Sequence, residues 1–380
     1  MPRILYVQFT NPGAYPPLEH SSRILADAGW QVLFLGTGAL GADRLRFASH
    51  PRIEVRQLRF QNAGWRQKLH YIRFCMWCVW WALRWRPDWI YASDMLSCPA
   101  ALGLTFLRSA QLLYHEHDSP STRPSTAFGR LCHAARRRCA GRARLCVLPN
   151  HERATRFIFE TKPGNPVEVV WNCPLKSEVI SASASKSSQG LRLLYHGSIV
   201  PERLPLSVLD ALVLLPADVT LTVVGYETIG SRGYISRLGR RASELKISER
   251  LTFVEALPRA GLLELCPSHH VGLALFPPEA LDVNLQAMTG ASNKPFDYLA
   301  SGLAVLVSDL PDWREMFVRA GFGLSCDSSQ PDSIASAIRK FYELPAEMRA
   351  MAQRGRQKIL DDWNYEAQFA KVQCLLANEV

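Results

Sequence analysis

Short β-branched and aromatic runs alternate with helix-length amphipathic patterns along almost all of the 380 residues, and no other feature constrains the fold as much. Parallel strands need a long crossover between them, usually a helix, so this alternation specifies an α/β chain with parallel sheets. In the first half it predicts strands at 3–9, 30–36, 53–59, 89–93, 111–117, 145–149 and 167–171. Helices are expected near 18–28, 65–86, 97–108, 127–142 and 150–159. The Ser/Ala/Lys-rich stretch SASASKSSQG (181–190) then interrupts the series and reads as a solvated linker. Strands are expected again at 192–198, 219–225, 250–254, 271–276, 304–308 and 321–325, and 345–379 reads as continuously helical. The expected architecture is therefore two Rossmann-like, doubly wound domains facing across a cleft. Residues 1–172 form the first, 173–190 the linker and 191–360 the second, while 361–380 return to the first as a closing helix. Ligands of such sheets gather outside the carboxyl ends of the strands.

Charge is unevenly placed. The chain carries a formal net charge of +10, but residues 1–172 hold 23 Lys and Arg against 11 Asp and Glu, and the remainder 21 against 23. A basic first half points to an anionic partner. Nucleic acid, an acidic membrane surface and a pyrophosphate-linked substrate all satisfy that, but no nucleic-acid-binding module is recognisable and none is expected as a partner. No apolar run approaches the roughly 18 residues that span a bilayer. The N-terminal MPRILYVQF enters a strand pattern at once, so the expectation is a cytoplasmic chain with its ten cysteines reduced. Cys75 and Cys78 form a CxxC without a second pair at zinc-like spacing, and read as core. Cys132, Cys139 and Cys146 recur every seven residues, as along one side of a helix that runs into a strand. No D-x-D occurs, and no metal ligand is assigned.

Several segments carry chemistry. In ASNKPFDYLASG (291–302), Ser292 or Asn293 can cap a helix whose first turn tolerates Pro295. A helix start attracts anions through its open N–H groups and dipole, and Lys294 adds a full charge there. Asp297, one turn in, suits a ribose diol, and Gly302 suits a left-handed helix end. In YHGSIVPER (195–203), Gly197 and Ser198 allow close backbone approach and Arg203 can fork onto a diphosphate. Gly225, closing the next strand in VVGYE, suits the same nucleotide. At His115-Glu116-His117-Asp118 the two histidines share one strand face and the acids the other. His117 and Asp118 there suit sugar hydroxyls. Gly13, in the Pro-rich loop after the first strand, suits an acceptor or phosphate contact. Each has an ordinary alternative: a capped core helix, strand-end turns, a satisfied histidine, a rigid loop. Residues 65–86 have an uncharged core, Phe74–Leu83, between basic ends, with tryptophan at both. Two readings stand for them: a helix lying peripherally in a membrane interface, on its inner face, or one buried against the sheet.

Together these segments resemble the retaining glycosyltransferases of the GT-B fold, glycosyltransferase family 4 (group 1). SNKPFDYLASGLAVLVSD is similar to the family's S-N/P-K-L-F-E-Y-M/L-A-x-G-x-P-V-V-x-S-D block, and RPDWIYASD, LLYHEHD, VVWNCP, YHGSIVPER and VVGYE add to the likeness. The resemblance implies a hexosyl-type transferase that moves sugar from a nucleotide-diphospho-sugar to a glycan or lipid-linked acceptor, with retention and without metal or other cofactor. It implies that Lys294 and Arg203 bind the diphosphate, that Asp297 stands for the family's ribose-holding glutamate, and that His117 and Asp118 lie near the transferred sugar. Thr289 replaces a glutamate eight positions before Asp297, and the usual glycine pair of the first loop is reduced to Gly13. A sugar-nucleotide epimerase and a non-catalytic scaffold that binds glycan or partner protein are the two alternatives on the same fold.

Overall fold

The computed structural model describes residues 1–62, 64–107, 110–120, 124, 126–180, 190–277 and 282–378. The core of the expected linker, 181–189, lies outside them. Two compact units result, Met1–Asn172 with Tyr365–Val380, and Cys173–Asn364.

The first unit is built on β1 (Arg3–Gln8), β2 (Gln31–Thr37), β3 (Ile53–Leu58), β4 (Trp89–Ser93), β5 (Gln111–His115), β6 (Leu145–Leu148) and β7 (Val167–Val169). These form one parallel sheet in the order β3-β2-β1-β4-β5-β6-β7. Its helices are α1 (Pro16–Asp27), α2 (Trp65–Trp85), α3 (Cys98–Leu107), α4 (Ala127–Arg142) and α5 (His151–Thr161). Helices cover both faces of such a sheet, so β1, β2, β4 and β6 are apolar and buried almost without alternation. β3, at one edge, is the exception and keeps Glu54 and Arg56 in solvent. Cys132, Cys139 and Cys146 are all buried, on the inner side of α4 and on β6, as their spacing predicts.

The second unit repeats the plan with β8 (Leu191–Ser198), β9 (Val219–Tyr226), β10 (Leu251–Glu255), β11 (Val271–Ala274), β12 (Ala304–Ser308) and β13 (Gly323–Cys326), in the order β10-β9-β8-β11-β12-β13. Its helices are α6 (Ser207–Val213), α7 (Tyr234–Glu244), α8 (Arg259–Leu265), α9 (Val283–Gln286), α10 (Asn293–Ala300), α11 (Pro311–Trp313), α12 (Pro331–Glu343) and α13 (Pro345–Asp361). Each sheet reverses its strand order once, between β1 and β4 and between β8 and β11. The loops beyond those strand ends are where doubly wound sheets place ligands.

The segment 345–379 is not one helix. It breaks at 362–364, and α14 (Tyr365–Asn378) begins afterwards. Asn364 causes the break: its amide folds back to donate to the carbonyls of Ile359 (3.0 Å) and Leu360 (3.3 Å), satisfying helix-end acceptors that a continuing helix would use. α14 then packs within the first unit, where the Tyr365 ring meets His20 and Lys371 pairs with Glu168. The turn at 362–364 therefore places the boundary between the units four residues later than the pattern suggests.

Candidate functional site

In the second unit, the end of β8 and the start of α10 converge. α10 is seated by Tyr298, whose hydroxyl donates to the Leu273 carbonyl (3.1 Å) and accepts from His196 N–H (3.2 Å). The Tyr298 ring lies flat over Gly272 of β11, where an added Cβ would stand 2.0 Å from Cγ. Gly272→Ala should therefore cost stability, about 1–3 kcal/mol as for an overpacked core, and weaken nucleotide binding by displacing α10. Urea denaturation and a nucleotide titration of the variant check both.

Ser292 occupies the N-cap position of α10, but its side chain makes no capping hydrogen bond. The cap foreseen from the residue type is absent, so the Ser292 hydroxyl does not offset the helix dipole. Lys294 follows, 9% exposed, with Nζ 3.2 Å from where a Gly197 Cβ would lie. Gly197 has φ +108°, so glycine is required both for the backbone turn and for this approach. Burial, and then the charge of Arg203, push the Lys294 ammonium down to about 7. Arg203 donates to Ser198 Oγ (2.9 Å) and stacks over Phe276. Two cations, the half-buried strand end Gly197–Ser198 and a helix start thus meet at the switch point of the sheet. Such an arrangement suits a compact anion.

Asp297 and Gly225 have roles not visible in sequence. Asp297 is buried, and its Oδ1 accepts from Arg259 Nη2 (2.8 Å), while Oδ2 lies 3.7 Å from His196 Nε2. Arg259 also forks onto Glu178 (2.5 and 2.8 Å), so it ties α10 to the segment before β8. His196 is held neutral by burial and by the cations Lys294 and Arg259. Gly225 pairs with Gly197 across β8 and β9, and an added Cβ would meet the Gly197 carbonyl at 1.8 Å. The packing of two backbones requires that glycine. Gly302, at φ +69°, ends α10 in the left-handed conformation.

In the first unit, β5 ends at His115, so His117 and Asp118 stand in the loop beyond it. Asp94, just past β4 with φ +61°, organises that loop: its Oδ1 accepts from the N–H of His117 (2.7 Å) and of Asp118 (3.3 Å). Burial and the nearby Asp118 charge push the Asp94 carboxyl up to about 7. Arg153 donates to the His117 carbonyl (2.5 Å) and lies 3.6 Å from Asp118, which is 64% exposed on its side chain. Glu116 points the other way and is fixed by Arg136 (2.5 and 2.8 Å) and the Tyr114 hydroxyl (2.6 Å), a structural pair. His117 is different. Its ring is buried beside His115 and Tyr15, and neither nitrogen has a hydrogen-bond partner among the described residues. Burial and Arg153 lower its pKa to about 3, so it is a neutral imidazole, one nitrogen donating and the other accepting. An unmatched buried donor and acceptor suit a hydroxyl-bearing ligand. Gly13 instead packs on the Leu45 backbone, where a Cβ would come within 2.6 Å of the carbonyl, and Asn11 rather than Gly13 orders that loop through Ala42 and Leu45.

Residues 209–373 match the model of a family described as Glycosyl transferase-like. The GDP-mannose-dependent alpha-(1-6)-phosphatidylinositol monomannoside mannosyltransferase of Mycolicibacterium smegmatis is 25% identical over 151 residues, which are 39% of this chain and 38% of that protein. Among solved structures, Anabaena HepE in complex with UDP-glucose superposes with a TM-score of 0.73 at 17% identity, covering 99% of both chains. Sucrose-phosphate synthase from Thermosynechococcus elongatus gives 0.70 at 16%, covering 100% of this chain and 99% of the other. The chain has the GT-B fold. In this GT-B chain Lys294 and Arg203 lie in the second unit and the histidine loop in the first. Among the described residues no group of three His, Cys, Asp or Glu is placed to hold a metal ion.

Proposed function

We propose that this GT-B protein is a retaining, metal-independent glycosyltransferase that moves a hexosyl group from a nucleotide-diphospho-sugar to a glycan or lipid-linked acceptor. The observation that carries the reading is the meeting of Lys294 and Arg203 at the start of α10 over Gly197. Bond cleavage at the sugar's anomeric carbon leaves a nucleoside diphosphate with growing negative charge. A preorganised ammonium, guanidinium and helix start stabilise that charge as it develops. The sugar passes through an oxocarbenium-like state, the acceptor oxygen attacks from the face the leaving group departs, and its proton passes to the departing diphosphate oxygen. In the first unit, His117 holds sugar hydroxyls through its two unmatched nitrogens, and Asp118 accepts from a hydroxyl. The partial match to an enzyme named for GDP-mannose and a phosphatidylinositol mannoside supports the nucleotide-sugar class and a lipid-linked acceptor.

A thermal-shift screen against UDP-, GDP-, ADP- and TDP-sugars tests the reading. At least one nucleotide sugar should raise the melting temperature, and the same donor should support transfer that His117→Ala slows by roughly tenfold to a hundredfold, the loss of one or two hydrogen bonds to a sugar hydroxyl. A chain that none of the four classes stabilises would not be a donor-dependent transferase.

A further inference from the structure

The structure divides α2 into two apolar faces. Tyr71, Phe74, Cys78 and Ala82, three and four residues apart, are buried. Trp65, Leu69, Ile72, Met76, Trp80 and Leu83 recur with the same spacing on the other side and are 47–67% exposed. Single exposed apolar residues are ordinary on a protein surface; six in one line along a 21-residue helix are not. With 100° between successive residues, Arg66, Arg73 and Arg84 fall on one flank of this line and Lys68 on the other. The helix contains no Asp or Glu at all. Arg66 and Arg84 lie over the rings of Trp65 and Trp80, near the two ends.

We propose that this outer face of α2 docks the protein onto an anionic lipid bilayer. The helix lies flat, with Leu69, Ile72, Met76 and Leu83 among the acyl chains, Trp65 and Trp80 at headgroup depth and the flanking cations on lipid phosphates. None of the described helices is long and apolar enough to cross a membrane, so the contact is peripheral. Charge decides against a second copy of the chain. Pairing α2 with itself would set two rows of cations against each other with no carboxylate on either helix. An anionic surface neutralises the same row, and the excess of Lys and Arg throughout residues 1–172 adds to its attraction. The proposal does not depend on sugar transfer.

The test is flotation of the full chain with vesicles of phosphatidylcholine alone and of phosphatidylcholine mixed with phosphatidylglycerol. The protein should float with the mixed vesicles, less so at high salt, and remain behind with the neutral ones. Met76→Glu/Trp80→Glu should lower partitioning at least roughly tenfold, and Arg73→Glu/Arg84→Glu should remove the preference for anionic lipid. Both pairs are exposed, so melting temperature and nucleotide-sugar shifts should be unchanged. Failure to bind either vesicle, or equal binding by wild type and Met76→Glu/Trp80→Glu, overturns the proposal. So does light scattering that shows a dimer which this variant turns into a monomer, since the face would then serve a second copy.

Discussion

Lys294→Met should abolish nucleoside diphosphate binding while leaving the melting temperature unchanged or higher. The two halves of this expectation have one cause. An ammonium that is 9% exposed and faces the charge of Arg203 is costly to the empty protein, and methionine relieves that cost at similar volume. The same ammonium is what a diphosphate needs. Removing one partner of a buried charged contact should cost about 3 kcal/mol or more, upward of roughly a hundredfold in Kd. Titration calorimetry with a nucleoside diphosphate and differential scanning of the same sample read both. Normal binding with a lowered melting temperature would mean that Lys294 supports the fold and not a ligand.

The depressed Lys294 also gives donor binding a pH dependence of definite sign. With the empty-site value at about 7, the ammonium is present below that pH and largely neutral above it. A bound diphosphate raises the value, so binding takes up a proton between the empty and the bound values. Affinity should be flat below pH 7 and fall by up to about tenfold per unit above it. His196 does not confuse the window, because burial keeps it neutral throughout. A nucleotide sugar is the right probe, since its diphosphate diester does not titrate there. Calorimetry at pH 8 in buffers of different ionisation enthalpy should show uptake of roughly 0.9 proton, and at about pH 5.5 almost none, because the ammonium is then already present in the empty site.

What could be read in the sequence was periodic, and what escaped was the meeting of distant side chains. β4, β12 and α4 lie where 89–93, 304–308 and 127–142 predict them, because runs buried on both faces and a helix of regular spacing are local patterns. Lys294, Arg203, Ser198 and Gly197 were found separately and the fold brings them to one place. Arg259 left no trace, since its partner Asp297 lies 38 residues away and neither motif contains it. Asp94 stood in a quoted segment, but only its positive φ and the two N–H groups it accepts show that it orders the His117 loop. Gly225 was read toward a ligand, and its packing on the Gly197 carbonyl, which requires glycine by itself, left no mark in the sequence. For α2 the sequence was ambiguous for a physical reason. Both faces are apolar, and only the fold distinguishes the covered one.

Arg259→Met should destabilise the second unit by about 3–5 kcal/mol, the usual result of leaving buried carboxylates without their cation. The guanidinium is buried against Glu178 and Asp297, and although burial opposes its charge, the two carboxylates hold its pKa well above the ordinary value. Chemical denaturation measures the loss, and Arg259→Lys should recover little of it, because an ammonium cannot fork onto Glu178 while reaching Asp297. The same pair frames the role of Asp297. If it holds a ribose as well as Arg259, Asp297→Asn should weaken a nucleoside diphosphate by at least roughly tenfold, a charged hydrogen bond or two, and leave inorganic pyrophosphate binding as it was. If its only duty is to fasten Arg259, the asparagine should change stability and affect both ligands alike. The ratio of the two affinities, unlike either alone, separates a ribose contact from a structural ion pair.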